Sequence, residues 1–313
     1  MTSIARPGLR SRFAIGRRTR QHSGERRLGG GRQIVLQAIC VFIGFTVIFP
    51  LLWILSLSLD PRNLTRPDGL NLIPPGASLD AYANVLAQPT SNPVSFPELA
   101  RNSFIIAFGT SVVSVLIGVS AAYAFSRLRF RGRELLMVAI LAVLMLPAVA
   151  TIAPLFVLLT RFQIGDFTLG RSLAGVLVAI TASTLPFAIW NLKGYLDTIP
   201  KELEEAAAVD GATRNQSFLR IILPLALPAL AVTGFLGFIA GWTEYYFSVI
   251  FLSDAKQFTL AVALNGMVGQ YATQTPWSEF SAFAIMFALP VSIVYLFLQK
   301  YIVGGLAIGG VKG

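Results

Sequence analysis

Residues Asp197–Pro224 read DTIPKELEEAAAVDGATRNQSFLRIILP, a polar insert between two long apolar stretches. Lys201–Val209 is built of Glu, Leu and Ala, all strong helix formers. Pro200 suits a first helical turn, and Asp197 or Thr198 is placed to cap it. Gly211 stands where a left-handed residue ends a helix. Ala212–Ile222 then predicts a second helix, closed by Pro224. The insert is therefore expected to be a structured helix-turn-helix rather than a simple connector. Its small patch Ala206–Ala207–Ala208 permits close approach by another protein, and Glu202, Glu204 and Glu205 supply charge for docking. On composition alone a solvated surface helix with no partner is the favoured reading.

The flanks of this insert are too apolar for a soluble protein. The 313-residue chain is 55% hydrophobic and 13% charged, with a mean hydropathy of +0.68, where soluble domains carry about 25% charged residues. A span needs about 20 mostly apolar residues to cross about 30 Å of hydrocarbon. Six stretches qualify: Ile34–Leu59, Ser103–Phe125, Leu135–Thr160, Ser172–Leu196, Leu225–Leu252 and Phe280–Ile302. The expected fold class is an all-α integral membrane protein with six transmembrane helices. Pro50, Pro147, Pro154, Pro186, Pro228 and Pro290 lie inside these stretches and should kink them. Residues 1–33 form a basic tail, expected to be disordered and held near anionic lipid. Residues 34–302 form the membrane domain, and 303–313 a glycine-rich C-terminal tail.

Charge sets the orientation. With the N-terminus inside, 19 of the 25 Lys and Arg residues face inward and 6 face outward. The positive-inside rule then puts both termini in the cytoplasm. The same distribution removes nucleic acid as a partner despite a pI near 10.2, because the cations flank spans instead of forming one face. One Cys (Cys40) and one His (His22) exclude a disulfide framework, a zinc cluster and a His-based catalytic relay. The chain is thus expected to be no enzyme and to hold no cofactor or metal of its own. None of its lysines lies in a G-x-x-x-x-G-K-[ST] phosphate loop, so any ATP hydrolysis belongs to another subunit.

Two outer segments hint at docking from the far side. The proline-rich loop 60–101 is long enough to be functional. The 14-residue segment Phe258–Tyr271 is apolar but too short to span, and is expected to lie re-entrant or on the surface. Glu244 is the only acid within a predicted span. It fits either the lining of a translocation path or an anchor at the outer interface. The neighbouring Tyr245 and Tyr246 fit an interfacial aromatic belt or a stacking surface for a sugar. A secondary transporter would show inverted repeats and several buried ionisable groups, neither of which is evident. An inert scaffold would have no reason to carry the insert.

The insert also carries a resemblance. Glu205-Ala206-Ala207, three residues, Gly211, nine residues, Ile221, one residue and Leu223-Pro224 resembles the EAA loop of the inner-membrane permease subunits of ATP-binding-cassette importers. The final residues, Tyr301 to Gly313 (YIVGGLAIGGVKG), resemble the tail of the maltose-type carbohydrate permeases, with Ala307-Ile308 in place of the usual Thr-Ala. Trp242-Thr243-Glu244-Tyr245-Tyr246 is similar to the family's Trp-Asn-Glu-aromatic element, with Thr243 for the common Asn. The resemblance implies a type I importer fold in which the helix at Lys201–Val209 is a coupling helix. Glu204, Glu205, Ala206, Ala207, Asp210 and Gly211 would then couple to the ATPase, and Gly309, Gly310 and Lys312 of the tail would contact it. It also implies a second permease subunit, two ATP-binding subunits carrying ATP and Mg, and an extracytoplasmic solute-binding protein. The expected cargo is an oligosaccharide or disaccharide such as maltodextrin or trehalose; another solute, such as a glycerol phosphate, stays open.

Overall fold

The computed structural model describes residues 30–62, 72–271 and 274–309, and divides the chain into two units, Met1–Pro50 and Leu51–Gly313. Most of the basic tail expected at 1–33, and Gly310 and Lys312 of the C-terminal tail, lie outside the described residues. The helices run α1 (Gly30–Ser58), α2 (Asp80–Ala87), α3 (Phe96–Arg127), α4 (Arg133–Val143), α5 (Ala148–Thr160), α6 (Leu173–Leu196), α7 (Glu202–Val209), α8 (Arg214–Ser217), α9 (Leu223–Leu225), α10 (Leu227–Trp242), α11 (Tyr246–Phe251), α12 (Leu260–Gly266) and α13 (Trp277–Gly309). A two-stranded antiparallel ribbon, β1 (Gln163–Ile164) with β2 (Phe167–Thr168), turns between α5 and α6.

Among the described residues four helices are long and apolar enough to cross a membrane by themselves: Gly31–Ser58, Phe96–Arg127, Leu173–Leu196 and Trp277–Tyr301. The other two predicted spans are broken. The stretch 135–160 splits into α4 and α5 just before Pro147. The N–H groups of Leu144, Met145 and Leu146 there turn to carbonyls three residues back instead of four. Pro147 itself has no N–H to continue the ladder, and its backbone is extended (ψ 123°) where it stands ahead of α5. The stretch 225–252 splits into α10 and α11 at Thr243–Tyr245, so Glu244 sits in a gap and not on a continuous helix. At its other end, Arg214–Leu225 and Leu227–Trp242 meet at 75°. Pro228 lacks the N–H that would have continued the ladder through that bend.

Boundaries move as well. α3 begins at Phe96, seven residues before the predicted Ser103, because Glu98 accepts bonds from the Ser95 backbone N–H and hydroxyl (2.9 Å each) and Pro97 suits the first turn. α13 extends to Gly309, past the predicted end at Ile302. A helix already nucleated propagates one hydrogen bond per residue, which offsets the cost of glycine.

α3 is the central helix of the second unit. Along one side Val119 and Ala122 pack against Leu192, Leu196 and Ile222. Ile106 meets Val176, Ile180 and Phe251 in a second cluster, and Leu99 and Ala107 meet Phe238, Trp242 and Phe283 in a third. The α3–α10 crossing is made close by glycine. A Cβ on Gly241 would stand 2.6 Å from Ala107 Cα, and one on Gly237 would stand 3.1 Å from Ser111 Cα. Such small-residue stripes let helix backbones touch where lipid provides no hydrophobic drive. Ser111 adds a hydrogen bond across the crossing to the Gly234 carbonyl at 2.7 Å, and Asn191 of α6 donates to Thr233 of α10 at 3.0 Å.

Candidate functional site

The insert folds as two helices around one turn. α7 is followed by Asp210 and then by Gly211 at φ +85°, the left-handed position expected from sequence. Gly211 N–H donates to Ala208 O (3.1 Å) and Ala212 N–H to Ala207 O (2.9 Å), the paired bonds of a Schellman turn. Thr213 then caps α8: Gln216 N–H donates to its hydroxyl at 3.4 Å, while Thr213 N–H donates to Gln216 Oε1 at 2.7 Å. The second helix does not stop at Pro224. A wide turn over Phe218–Ile222, in which Leu223 N–H reaches Phe218 O, leads through Pro224 to Leu225. The wider turn gives room before a ring that would crowd a regular helix.

The start of α7 differs from expectation. Neither Asp197 nor Thr198 caps it; the residue ahead of the helix is Lys201, which makes no side-chain cap bond. The Thr198 hydroxyl instead donates back to Tyr195 O at 2.7 Å. Asp197 accepts from Lys193 Nζ and from Ser126 Oγ, both at 2.6 Å. Burial raises the Asp197 carboxyl, but the hydrogen bonds from Lys193 and Ser126 outweigh it and hold its pKa below the ordinary 3.8.

The residues singled out on α7 separate into two faces. Glu205, Ala206, Asp210 and Gly211 are exposed, as is Val209 at 89%. Ala207 is buried, and Glu204 turns inward. The Glu204 carboxylate accepts from Tyr123 OH at 2.8 Å and forms an ion pair with Arg127 Nε. Arg127 also donates to Ser126 Oγ (3.0 Å) and to Ile199 O (2.8 Å). A cavity of about 470 Å³ opens beside this contact, lined among others by Tyr123, Arg127, Lys201, Glu205 and Arg214.

Glu244 lies far from this unit along the chain and is 9% exposed. Its carboxylate accepts from Phe247 N–H (2.6 Å), Ser248 N–H (2.8 Å) and Ser248 Oγ (2.7 Å). It therefore caps the N-terminus of α11 across the break. Tyr245 is half-buried, with its ring 5.5 Å from that of the more exposed Tyr246. Among the described residues no group of three or more His, Cys, Asp or Glu side chains is placed to hold a metal ion.

The sequence profile of the family described as "Binding-protein-dependent transport system inner membrane component" matches residues 114–307, more than half of the chain. The chain belongs to this family. It is similar to the maltose/maltodextrin transport system permease protein MalG of Vibrio vulnificus (strain YJ016), 38% identical over 277 residues that cover 85% of this chain and 91% of that one. It is also similar to the trehalose/maltose transport system permease protein MalG of Thermococcus litoralis, 34% identical over 291 residues that cover 90% and 99%. Among solved structures, a chain of a bacterial ABC transporter involved in the import of the acidic polysaccharide alginate has a TM-score of 0.71 at 25% identity, covering 86% of this chain and 95% of that one.

The protein is thus an ABC importer permease, a transport component of the inner membrane, and the insert lies inside the matched region. Sequence reasoning about this permease missed Tyr123, Ser126 and Arg127. Arg127 counted only among the 19 inward cations. The available signal was helical: Tyr123 and Arg127 are four residues apart and share one face of α3.

Proposed function

We propose that this permease is one half of the translocation path of an ATP-driven carbohydrate importer, for an oligosaccharide or disaccharide of the maltodextrin or trehalose class. The observation that carries the reading is the α7–Gly211–α8 unit, whose Glu205, Ala206, Val209 and Asp210 stand exposed on a short helix with a tightly built stop. Such a unit gives a rigid knob for a cleft in a separate ATPase. In this reading α7 is the coupling helix and ATP and Mg are bound and used on two partner subunits. A second, homologous permease subunit completes the path, and an extracytoplasmic binding protein delivers the solute. The chain crosses the membrane six times with both termini in the cytoplasm, and the broken segments α4–α5 and α10–α11 each count as one crossing. Gly309, Gly310 and Lys312 reach the ATPase, and Tyr245 and Tyr246 face the path. The sugar class is supported by the 34–38% identity to permeases named for maltose, maltodextrin and trehalose.

The test is reconstitution of the complex in proteoliposomes with its ATPase and binding protein, followed by uptake of labelled maltose, maltotriose and trehalose. ATP-dependent uptake of at least one is expected. Glu205→Lys and Gly211→Leu should insert normally but lose solute-stimulated ATP hydrolysis, since a branched residue at φ +85° costs about 1–2 kcal/mol and misaims α7. Full stimulation in both variants would remove the docking role of α7.

A further inference from the structure

Among the three acids of α7, Glu202 and Glu205 face solvent while Glu204 does not. The Glu204 side chain is 16% exposed and that of its partner Arg127 only 6%. We propose that Glu204 is a positioning residue: with Arg127 and Tyr123 it fastens α7 to α3, so that the insert and the α3–α6 pair move as one piece. The proposal rests on the docking reading of α7 and adds how a push on α7 reaches the membrane helices.

Apolar packing does little to hold α7. It is eight residues long and only Ala207 is buried within it. Its attachments are polar instead, and they converge on the end of α3. Arg127 spreads its guanidinium over Glu204 on α7, the Ile199 carbonyl in the α6–α7 connection and Ser126 on α3. Ser126 passes the link to Asp197, which Lys193 of α6 also holds. Tyr123 adds its hydroxyl to Glu204, and its ring lies 4.7 Å from that of Phe218, just beyond α8. The planar fork of arginine fixes direction as well as distance, which a flexible ammonium would not. A helix fastened this way cannot turn or slide against α3 without breaking a largely buried ion pair, so displacement of α7 is passed on instead of absorbed.

The test uses the full complex in proteoliposomes and reads the ATP hydrolysed per solute imported, which a loss of folded protein alone would not change. Arg127→Lys keeps the charge and loses the fork; Tyr123→Phe keeps the ring and loses one hydrogen bond. Coupling between sites typically spans about 5–150-fold, so Arg127→Lys is expected to raise the ratio about tenfold and Tyr123→Phe by less, with the ATPase subunits still copurifying. A parent-like ratio in both variants overturns the proposal, as does loss of the ATPase subunits in Glu204→Gln, which would make Glu204 a docking residue. If Arg127→Lys fails to assemble, Tyr123→Phe decides alone by the same criterion. Glu205→Lys serves as the control. If it and Gly211→Leu both leave ATPase stimulation intact, the docking reading fails, whatever the ratio in the α3 variants.

Discussion

Two carboxylates show how little of a side chain's role its residue type decides. Asp197 is held ionised by Lys193 and Ser126, against the effect of its own burial. A depressed pKa in the folded state stabilises above the unfolded value and is lost as pH falls through the folded one. The contact should therefore contribute fully at neutral pH and fade only below about pH 3.8. Thermal unfolding in detergent should show Asp197→Asn below the parent at pH 6, with the gap closing as pH falls under that value; a gap independent of pH would contradict the ion pair. Glu244 is read through its three donors. Glu244→Leu strands the α11 N–H groups in a buried site and should cost about 1–3 kcal/mol. Glu244→Gln keeps an acceptor and should cost less. The order of the two melting temperatures checks it, and equal losses would count against capping.

At the scale of elements, glycine does opposite things in neighbouring helices. On α10, Gly241 is where the α3 backbone passes, and any Cβ there must displace Ala107. Gly241→Ala should destabilise by about 1–3 kcal/mol through overpacking. On α6, a Cβ at Gly194 meets nothing within 4 Å, so Gly194→Ala should be neutral or stabilise by up to about 1 kcal/mol through helix propensity. Melting temperatures of the two variants should move in opposite directions or differ clearly in size. Similar losses would mean that the α3–α10 crossing is looser than drawn. The prolines divide in the same way: Pro50, Pro154, Pro186 and Pro290 stay inside helices, while the chain breaks ahead of Pro147 and bends ahead of Pro228. Their presence in apolar runs was visible, but which of them interrupt depends on how neighbouring helices satisfy the freed carbonyls.

For the whole molecule the prediction is topological. In a Cys40→Ser background, Ser91→Cys and Arg131→Cys both place a thiol at an exposed site. Ser91→Cys should react with an impermeant maleimide in intact cells, and Arg131→Cys only after permeabilisation. Labelling of Arg131→Cys in intact cells would reverse the orientation drawn from the distribution of cations.

Legible in the order of residues alone are the apolar segments of membrane length, the structured insert between two of them and its turn at Gly211. These follow from composition, period and backbone preference, which act within a few residues and leave marks in the order of the letters. The breaks at Leu144–Pro147 and Thr243–Tyr245, the cap made by Glu244 and the inward turn of Glu204 came only with the packing of the helices. Glu204 illustrates the reason. Flanked by Leu203 and Glu205, it has the local chemistry of a solvated helix, yet its partners lie 77 and 81 residues earlier on α3. A buried charge must find whatever donors the packing brings within reach, and helix packing, not neighbouring sequence, chose Arg127 and Tyr123.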